Sequence, residues 1–249
     1  MKLKLIRNAT LRLHYGGHLF IIDPFLAAKH ARDSFTGKSR NPTVELPCTP
    51  EEAIADIKMI LVSHLHADHF DPAAQELLPK DLPLFCQPGD SDTITSKGFQ
   101  NVQEITESVT WNDITITRTL AQHGTGIWAE KMGNVMGFIL QAEDEPTVYW
   151  SGDTIWYEPI AKTIADFQPD IIVTHSCGAQ FEANSPIVMD AEQTVTVCKT
   201  APHAKVVAVH MEALDHATLS RQDLRTFADS ANISRDQLLI PDDGEVLTF

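Results

Sequence analysis

A chain of 249 residues, 43% hydrophobic and 21% charged, is long enough for a sizeable core and excludes collagen-like, mucin-like and wholly disordered classes. Asp and Glu number 34 against 19 for Lys and Arg, a formal charge of −15, which disfavours nucleic acid as a partner. No apolar run approaches bilayer length, no secretory stretch opens the chain, and Cys48, Cys86, Cys177 and Cys198 form no CxxC pair. The expectation is a cytoplasmic protein with no membrane partner and no disulfide scaffold.

Strand and helix signals continue from end to end without repeat or linker, which predicts a single domain over residues 1–249. Thr10–Tyr15 alternates apolar and polar residues, Gly16-Gly17 supplies a turn and His18–Ile22 resumes, a hairpin ending at Asp23-Pro24. Residues 29–47 mix charge, Gly and Pro without period and read as a mobile surface loop. Thr49-Pro50-Glu51-Glu52 combines a capping box with a first-turn proline, so a helix should run to Asp56, followed by a buried strand over 57–62. Asp71-Pro72 opens another helix, to Leu78.

Residues 113–120, 135–141 and 147–150 read as strands, the last two separated by the acidic turn Glu143-Asp144-Glu145-Pro146. Helix 157–167, strand 170–174, helix Ala191–Thr200, strand Lys205–Val209 and helix 219–230 then alternate, with 237–240 and 245–249 as closing strands. Hairpins mixed with strand-helix-strand units predict antiparallel and parallel pairing together, an α+β fold with helices covering sheets.

Ser63-His64-Leu65-His66-Ala67-Asp68-His69 places three imidazoles and a carboxylate between a buried strand and a capped helix. Zn²⁺ and its borderline relatives take these ligand types. Four such side chains so close in sequence cannot easily encircle one ion. His64 and His66 leave the strand on the same side, whereas Asp68 and His69 address a second ion alongside. Two divalent ions are therefore expected, Zn²⁺ first, with Mn²⁺, Fe or Ni²⁺ compatible with the same ligands.

Further ligands should stand where other strands end. His123 follows the strand closing at Leu120, Asp153 in Ser151-Gly152-Asp153-Thr154 follows 147–150, and His210 closes Lys205–Val209. His175, after 170–174, and His216, six residues beyond His210, are candidates to bind a substrate or protonate a leaving group. Asp23 is a candidate to orient a ligand imidazole. Cys177 reads as a small buried residue rather than a nucleophile.

The pattern HxHxDH at His64, His66, Asp68 and His69 is followed by His123, Gly152-Asp153-Thr154 and His210, and preceded by Asp23-Pro24. In that order the chain resembles the metallo-β-lactamase superfamily over nearly its whole length. The resemblance implies a four-layer αββα sandwich, two mixed β-sheets flanked by helices, with metals at one sheet edge. It also implies His64, His66 and His123 on a first ion, Asp68, His69 and His210 on a second, and Asp153 bridging. Among branches the chain looks most like the compact metal-dependent hydrolases similar to ascorbate-phosphate lactonase and to N-acyl ethanolamine phospholipase D-type enzymes. His66 stands where diiron flavoproteins of this fold carry Glu, which points away from electron transfer.

The expected function is a dinuclear metal-dependent hydrolase. A metal-bridged hydroxide, oriented by Asp68, would attack a small ester, lactone, thioester or phosphodiester. The alternative is a non-catalytic metal-binding or sensing module. The partner is a small-molecule substrate, and exposed strand edges leave room for a homo-oligomer.

Overall fold

Leu3 and Leu5 turn inward and alternate with Lys2 and Lys4, so the first strand already has one buried face. The computed structural model describes residues 1–183 and 185–249. Its first half runs β1 (Lys2–Arg7), β2 (Thr10–Tyr15), β3 (His18–Ile22), α1 (Pro50–Ile54), β4 (Ile60–Val62), α2 (Pro72–Leu77), β5 (Pro83–Cys86), α3 (Ser91–Thr95) and β6 (Asn101–Glu104). The second runs β7 (Ser108–Trp111), β8 (Ile114–Leu120), α4 (Ile127–Met132), β9 (Met136–Gln141), β10 (Val148–Trp150), α5 (Glu158–Phe167), β11 (Ile171–His175), α6 (Ala191–Thr200), β12 (Lys205–Val209), α7 (Arg221–Ser230), β13 (Leu238–Leu239) and β14 (Val246–Thr248).

Two seven-stranded sheets result, ordered β14-β1-β2-β3-β4-β5-β6 and β13-β12-β11-β10-β9-β8-β7. Both are mixed, as the alternation of hairpins and crossovers predicts: β1, β2 and β3 pair antiparallel and β3 to β6 parallel. In the second sheet β7 to β10 pair antiparallel and β10 to β13 parallel. The last strand, β14, crosses over to close the edge of the first sheet beside β1.

The sheets pack face to face over a core that includes Leu5, Leu13, Phe20 and Leu61 from one and Ile116, Phe138, Trp150 and Val207 from the other. Ile21, Ile60, Val62 and Leu84 point the other way, onto Ala53 of α1, Ala74 of α2 and Ile94 of α3. Ile139, Tyr149, Ile172 and Val206 likewise meet Ile160 of α5, Val195 of α6 and Leu224 of α7. Strands buried on both faces explain the near-continuous apolar runs, each such side chain contributing about 1.5–3 kcal/mol by burial. This is the four-layer αββα arrangement. No helix among the described residues is long and apolar enough to cross a membrane.

The helix caps fall where the sequence puts them. Thr49 and Glu52 close a reciprocal capping box, and Asp71 accepts from the backbone of Ala73 and Ala74. The strand expected from Ile57 is shorter and begins at Ile60, after a turn in which Asp56 adopts φ +62°. Residues 29–47 are irregular, as expected, but tethered rather than loose. Arg7 donates to the carbonyls of Phe25, Ala27 and Val44, and Arg32 and Asn41 form a β-bridge.

Candidate metal centre

Strand direction gathers the site. β4, β10, β11 and β12 end on the same rim of the sandwich, and β8, antiparallel to β9, ends there too. After β4 the chain folds into a tight turn in which the carbonyl of His66 accepts the N–H groups of His69 and Phe70. That turn presents His64, His66, Asp68 and His69 together. His123 lies just past β8, Asp153 past β10, His175 ends β11 and His210 follows β12.

Gly152 makes the approach of Asp153 possible. Its φ is +70°, and a Cβ there would collide with the carbonyl oxygen of Met136. Gly137, opposite, has no room either: a Cβ would lie 2.5 Å from Thr119 Oγ1 and 2.7 Å from the Trp150 carbonyl. His210 also has a positive φ, +65°, and its N–H is held 2.8 Å from the Asn8 carbonyl. The Asn8 amide donates to the Asp68 carbonyl at 3.0 Å, so one residue ties ligand-bearing turns from both sheets.

All seven predicted ligands converge. His64, His66, His123 and Asp153 form one group, and His69, His210, Asp153 and His175 another, each offering donor atoms within 4.8 Å of one another. Asp153 belongs to both. Its Oδ2 lies 3.2 Å from His69 Nε2, 3.3 Å from His123 Nε2 and 3.8 Å from His64 Nε2, while its Oδ1 is 3.6 Å from His210 Nε2. Asp68 Oδ2 reaches His210 Nε2 at 3.2 Å and His69 Nε2 at 3.5 Å.

The opposite ring nitrogens are fixed from behind. His123 Nδ1 donates to the Ile187 carbonyl at 2.7 Å, and His69 Nδ1 to Asp23 Oδ2 at 2.8 Å. Ser63 Oγ gives its proton to Asp23 Oδ2 at 2.6 Å, so toward His64 Nδ1, 3.0 Å away, it accepts. Cys177 Sγ stands 3.4 Å from His210 Nδ1. Protons held on Nδ1 leave the Nε2 lone pairs of His64 and His123 turned toward the carboxylate of Asp153, acceptor facing acceptor. His64 Nε2 is buried with no hydrogen-bond partner.

Such a set wants positive charge at its centre, and the titration directions agree. Burial opposes charge on His69, yet Asp153, Asp68 and Asp23 push it up to about 10. His210 is raised for the same reason, chiefly by Asp153, against its burial. Burial dominates at His64, which falls well below the usual imidazole value, and at His123, lowered to about 4. Asp68 and Asp153, though buried, are held well below the usual carboxylate range, with His69 the largest of the charges that lower them. Asp68 and Asp153 are thus ionised and His64 and His123 neutral, the states in which each can ligate a metal, while the positive charge drawn onto His69 and His210 marks where a cation would take the place of their protons. The donor set therefore fits borderline divalent cations.

Of the two further histidines, His216 lines the cavity above the centre together with Phe35, His66, Ala67, Asp68, His123, Met132, Asp153 and Phe181, a space of about 160 Å³. His175 does not reach that cavity. It is fully buried, with Nδ1 2.5 Å from Asp153 Oδ1, on the inner side of that carboxylate. Ser63, Asn8 and the cavity wall of Phe35, Met132 and Phe181 escape sequence reasoning, since no spacing distinguishes them from ordinary polar or core residues.

The fold and this constellation define a class: the chain belongs to the beta-lactamase superfamily, whose domain model, described as the beta-lactamase superfamily domain, matches residues 18–211. Within it the chain is a metal-dependent hydrolase. It is 36% identical to the UPF0173 protein YddR of Bacillus subtilis (strain 168) over 255 aligned positions, covering 100% of both chains. It superposes with a TM-score of 0.96 on a possible metal-dependent hydrolase from Veillonella parvula DSM 2008, at 36% identity, covering 100% of this chain and 99% of that one. With isothiocyanate hydrolase from Delia radicum gut bacteria the TM-score is 0.93 and the identity 38%, covering 100% and 99%.

Proposed function

We propose that the chain hydrolyses a small, neutral carbon electrophile at a dinuclear centre. An isothiocyanate is the first candidate, ahead of an ester, lactone or thioester. The observation that carries this reading is the convergence of four imidazole Nε2 atoms on the Asp153 carboxylate, at 3.2, 3.3, 3.6 and 3.8 Å. His64, His66 and His123 would hold one ion, Asp68, His69 and His210 the other, with Asp153 between them. Zn²⁺ suits the ligands best. Two bound divalent cations would supply a water acidified toward neutrality and positive charge for the anion that forms on the substrate.

The residues of the chain supply the rest. The Asp68 carboxylate, poised beside His210 and lining the cavity, would hold the proton released as water adds and pass it to the leaving nitrogen. For an isothiocyanate the balance closes: water oxygen bonds to the central carbon, nitrogen takes protons, the carbon–nitrogen bond breaks, and an amine and carbonyl sulfide leave. Burial lowers the pKa of His216, so at neutral pH it faces the cavity as a neutral imidazole able to hydrogen-bond the substrate. Among the described residues neither Lys nor Arg lines the cavity, which speaks against a phosphodiester. The similarity to an isothiocyanate hydrolase at 38% identity supports the same choice.

The test is hydrolysis of 2-phenylethyl isothiocyanate, a thioester, a lactone and an aryl ester by protein reconstituted with Zn²⁺ or Mn²⁺, against a chelator-treated control. Turnover should require metal, elemental analysis should return up to about two equivalents per chain, and Asp68→Asn should fold normally but lose turnover. Wild-type-like hydrolysis by Asp68→Asn, or turnover indifferent to chelation, refutes the assignment.

A further inference from the structure

One buried histidine stands outside both the cavity and the seven expected ligands. His175 is the last residue of β11, a strand paired on both sides, with His175 opposite Val209 of β12 and Val173 opposite Trp150 of β10. Val173 belongs to the core between the sheets, so His175, two residues on, points to the same face and reaches the centre from within the sandwich. Its ring stands at right angles to that of Trp150, with centroids 4.8 Å apart, and lies 5.6 Å from the ring of His69 and 5.1 Å from that of His210. None of it is exposed.

Its two nitrogens are unequally served. Nδ1 is 2.5 Å from Asp153 Oδ1, whereas Nε2 is buried with no hydrogen-bond partner. A proton on Nε2 would have no acceptor and would leave the Nδ1 lone pair against a carboxylate oxygen, so the proton sits on Nδ1 and Asp153 accepts it. The spacing separates this contact from the others. Two donor atoms on one tetrahedral cation, at bonds of about 2.0–2.2 Å, stand about 3.3–3.6 Å apart. Asp68 and Asp153 lie 3.2 to 3.8 Å from the ligand imidazoles, in that range, while His175 is in direct contact. Among the described residues His175 makes the one hydrogen bond to the Asp153 carboxylate from outside the seven ligands. Ser63, Asp23, the Ile187 carbonyl and Cys177 stand behind the imidazoles, and His175 stands behind the carboxylate that the groups around His123 and His210 share.

We infer that His175 is a positioning residue for Asp153. By donating to Oδ1 it fixes the rotation of the carboxylate, which leaves Oδ2 facing His64, His69 and His123 and Oδ1 facing His210. Each ligand group then meets one oxygen of the same side chain. Both groups depend on that rotation, so losing the donor weakens both metal equivalents, whereas losing a ligand of one ion would weaken one. The effect on metal rests on the dinuclear reading above, and the choice of substrate does not enter it.

The test sets a donor against a shape. Asn carries its amide nitrogen as many bonds from Cα as His carries Nδ1, whereas Phe fills the volume of the ring and donates nothing. When chelator-treated protein is titrated with Zn²⁺, both equivalents should bind about 10- to 100-fold more weakly in His175→Phe, and His175→Asn should restore most of that loss. Urea unfolding of the same metal-free proteins should rank the variants the other way, with Phe the more stable, because Asn leaves part of the ring's space empty. In ¹H–¹⁵N spectra of the metal-free wild type, His175 should carry its proton on Nδ1, and Asp153→Asn should move that signal. If the wild type binds no Zn²⁺ yet shows this signal, the dinuclear reading fails and the positioning of Asp153 stands. Wild-type affinity in folded His175→Phe, a loss confined to one equivalent, no rescue by His175→Asn, or a proton on Nε2 overturns the inference.

Discussion

Asp23 Oδ2 and His69 Nδ1 stand 2.8 Å apart, both fully buried, linking the end of β3 to the turn that follows β4. The same carboxylate accepts the Ser63 N–H at 2.7 Å and the Ser63 hydroxyl at 2.6 Å, and Ser63 in turn orients His64. One side chain therefore sets the direction of an imidazole in each of the two ligand groups. Asp23→Asn is the cleanest perturbation, because Asn tolerates the φ of +45° at this position and keeps the volume. Its amide offers one acceptor where the carboxylate offers two. Metal affinity should fall about 10- to 100-fold, the usual effect of removing the group behind a ligand imidazole, with the circular dichroism spectrum unchanged. Titration of chelator-stripped protein with Zn²⁺ measures this, and wild-type affinity would mean that the imidazoles need no such support.

Gly152 controls the position of Asp153 in a different way, through the backbone. Gly152→Ala would place a methyl group against the Met136 carbonyl and force an L residue to hold φ +70°. Either β9 or the Asp153 turn must shift. We expect a loss of about 3 kcal/mol in urea unfolding of the chelator-treated protein. Metal binding should weaken as well, since Asp153 lies in both ligand groups. An alanine variant with unaltered stability and metal stoichiometry would show that the turn has slack.

How much of this was legible in the sequence depends on whether the determining interaction is local. The caps at Thr49 and Asp71, the half-buried alternation of β8 and the Lys205–Val209 strand are local, and the sequence reads them with ends close to those observed. β5, β6 and β7 are short and carry Pro83 or little apolar pattern, so their existence depends on the sheets they join. The alternation of Leu3 and Leu5 with Lys2 and Lys4 is local too, although β1 is not among the elements expected from the sequence. In the site, His64, His66, Asp68 and His69 are legible as a cluster, His123, Asp153 and His210 follow strand ends and could be found by that rule, and Asp23 by its place before Pro24. His175 obeys the same rule yet faces Asp153, because a strand-end position does not say on which side of a carboxylate an imidazole falls. The aromatic wall joins residues 35, 181 and 216, and only the closed fold brings them together.

Asp215 gives the early loop a pH dependence whose direction can be worked out. Burial alone would favour the neutral acid, but the hydroxyls of Ser34 and Thr36, the Asn41 amide and the Phe35 N–H hold the carboxyl well below the usual carboxylate range. A folded-state pKa below the unfolded value of about 3.9 means that the unfolded chain binds the proton more readily. The stabilisation is therefore complete at neutral pH and is lost as pH falls below about 4, toward the depressed folded value. Asp215→Asn turns an amide donor toward the Ser34 and Thr36 donors and removes the charge. At pH 7 the loop should open more easily by about 2 kcal/mol, which is roughly a 30-fold faster amide exchange at Phe35 and Thr36. Residues of the central strands should exchange as before. In the wild type the protection of those two amides should decline on acidification below about pH 4, and in Asp215→Asn it should show no such step. Equal exchange in the two proteins at pH 7 would mean that Arg7, through Phe25, Ala27 and Val44, holds this loop without help from Asp215.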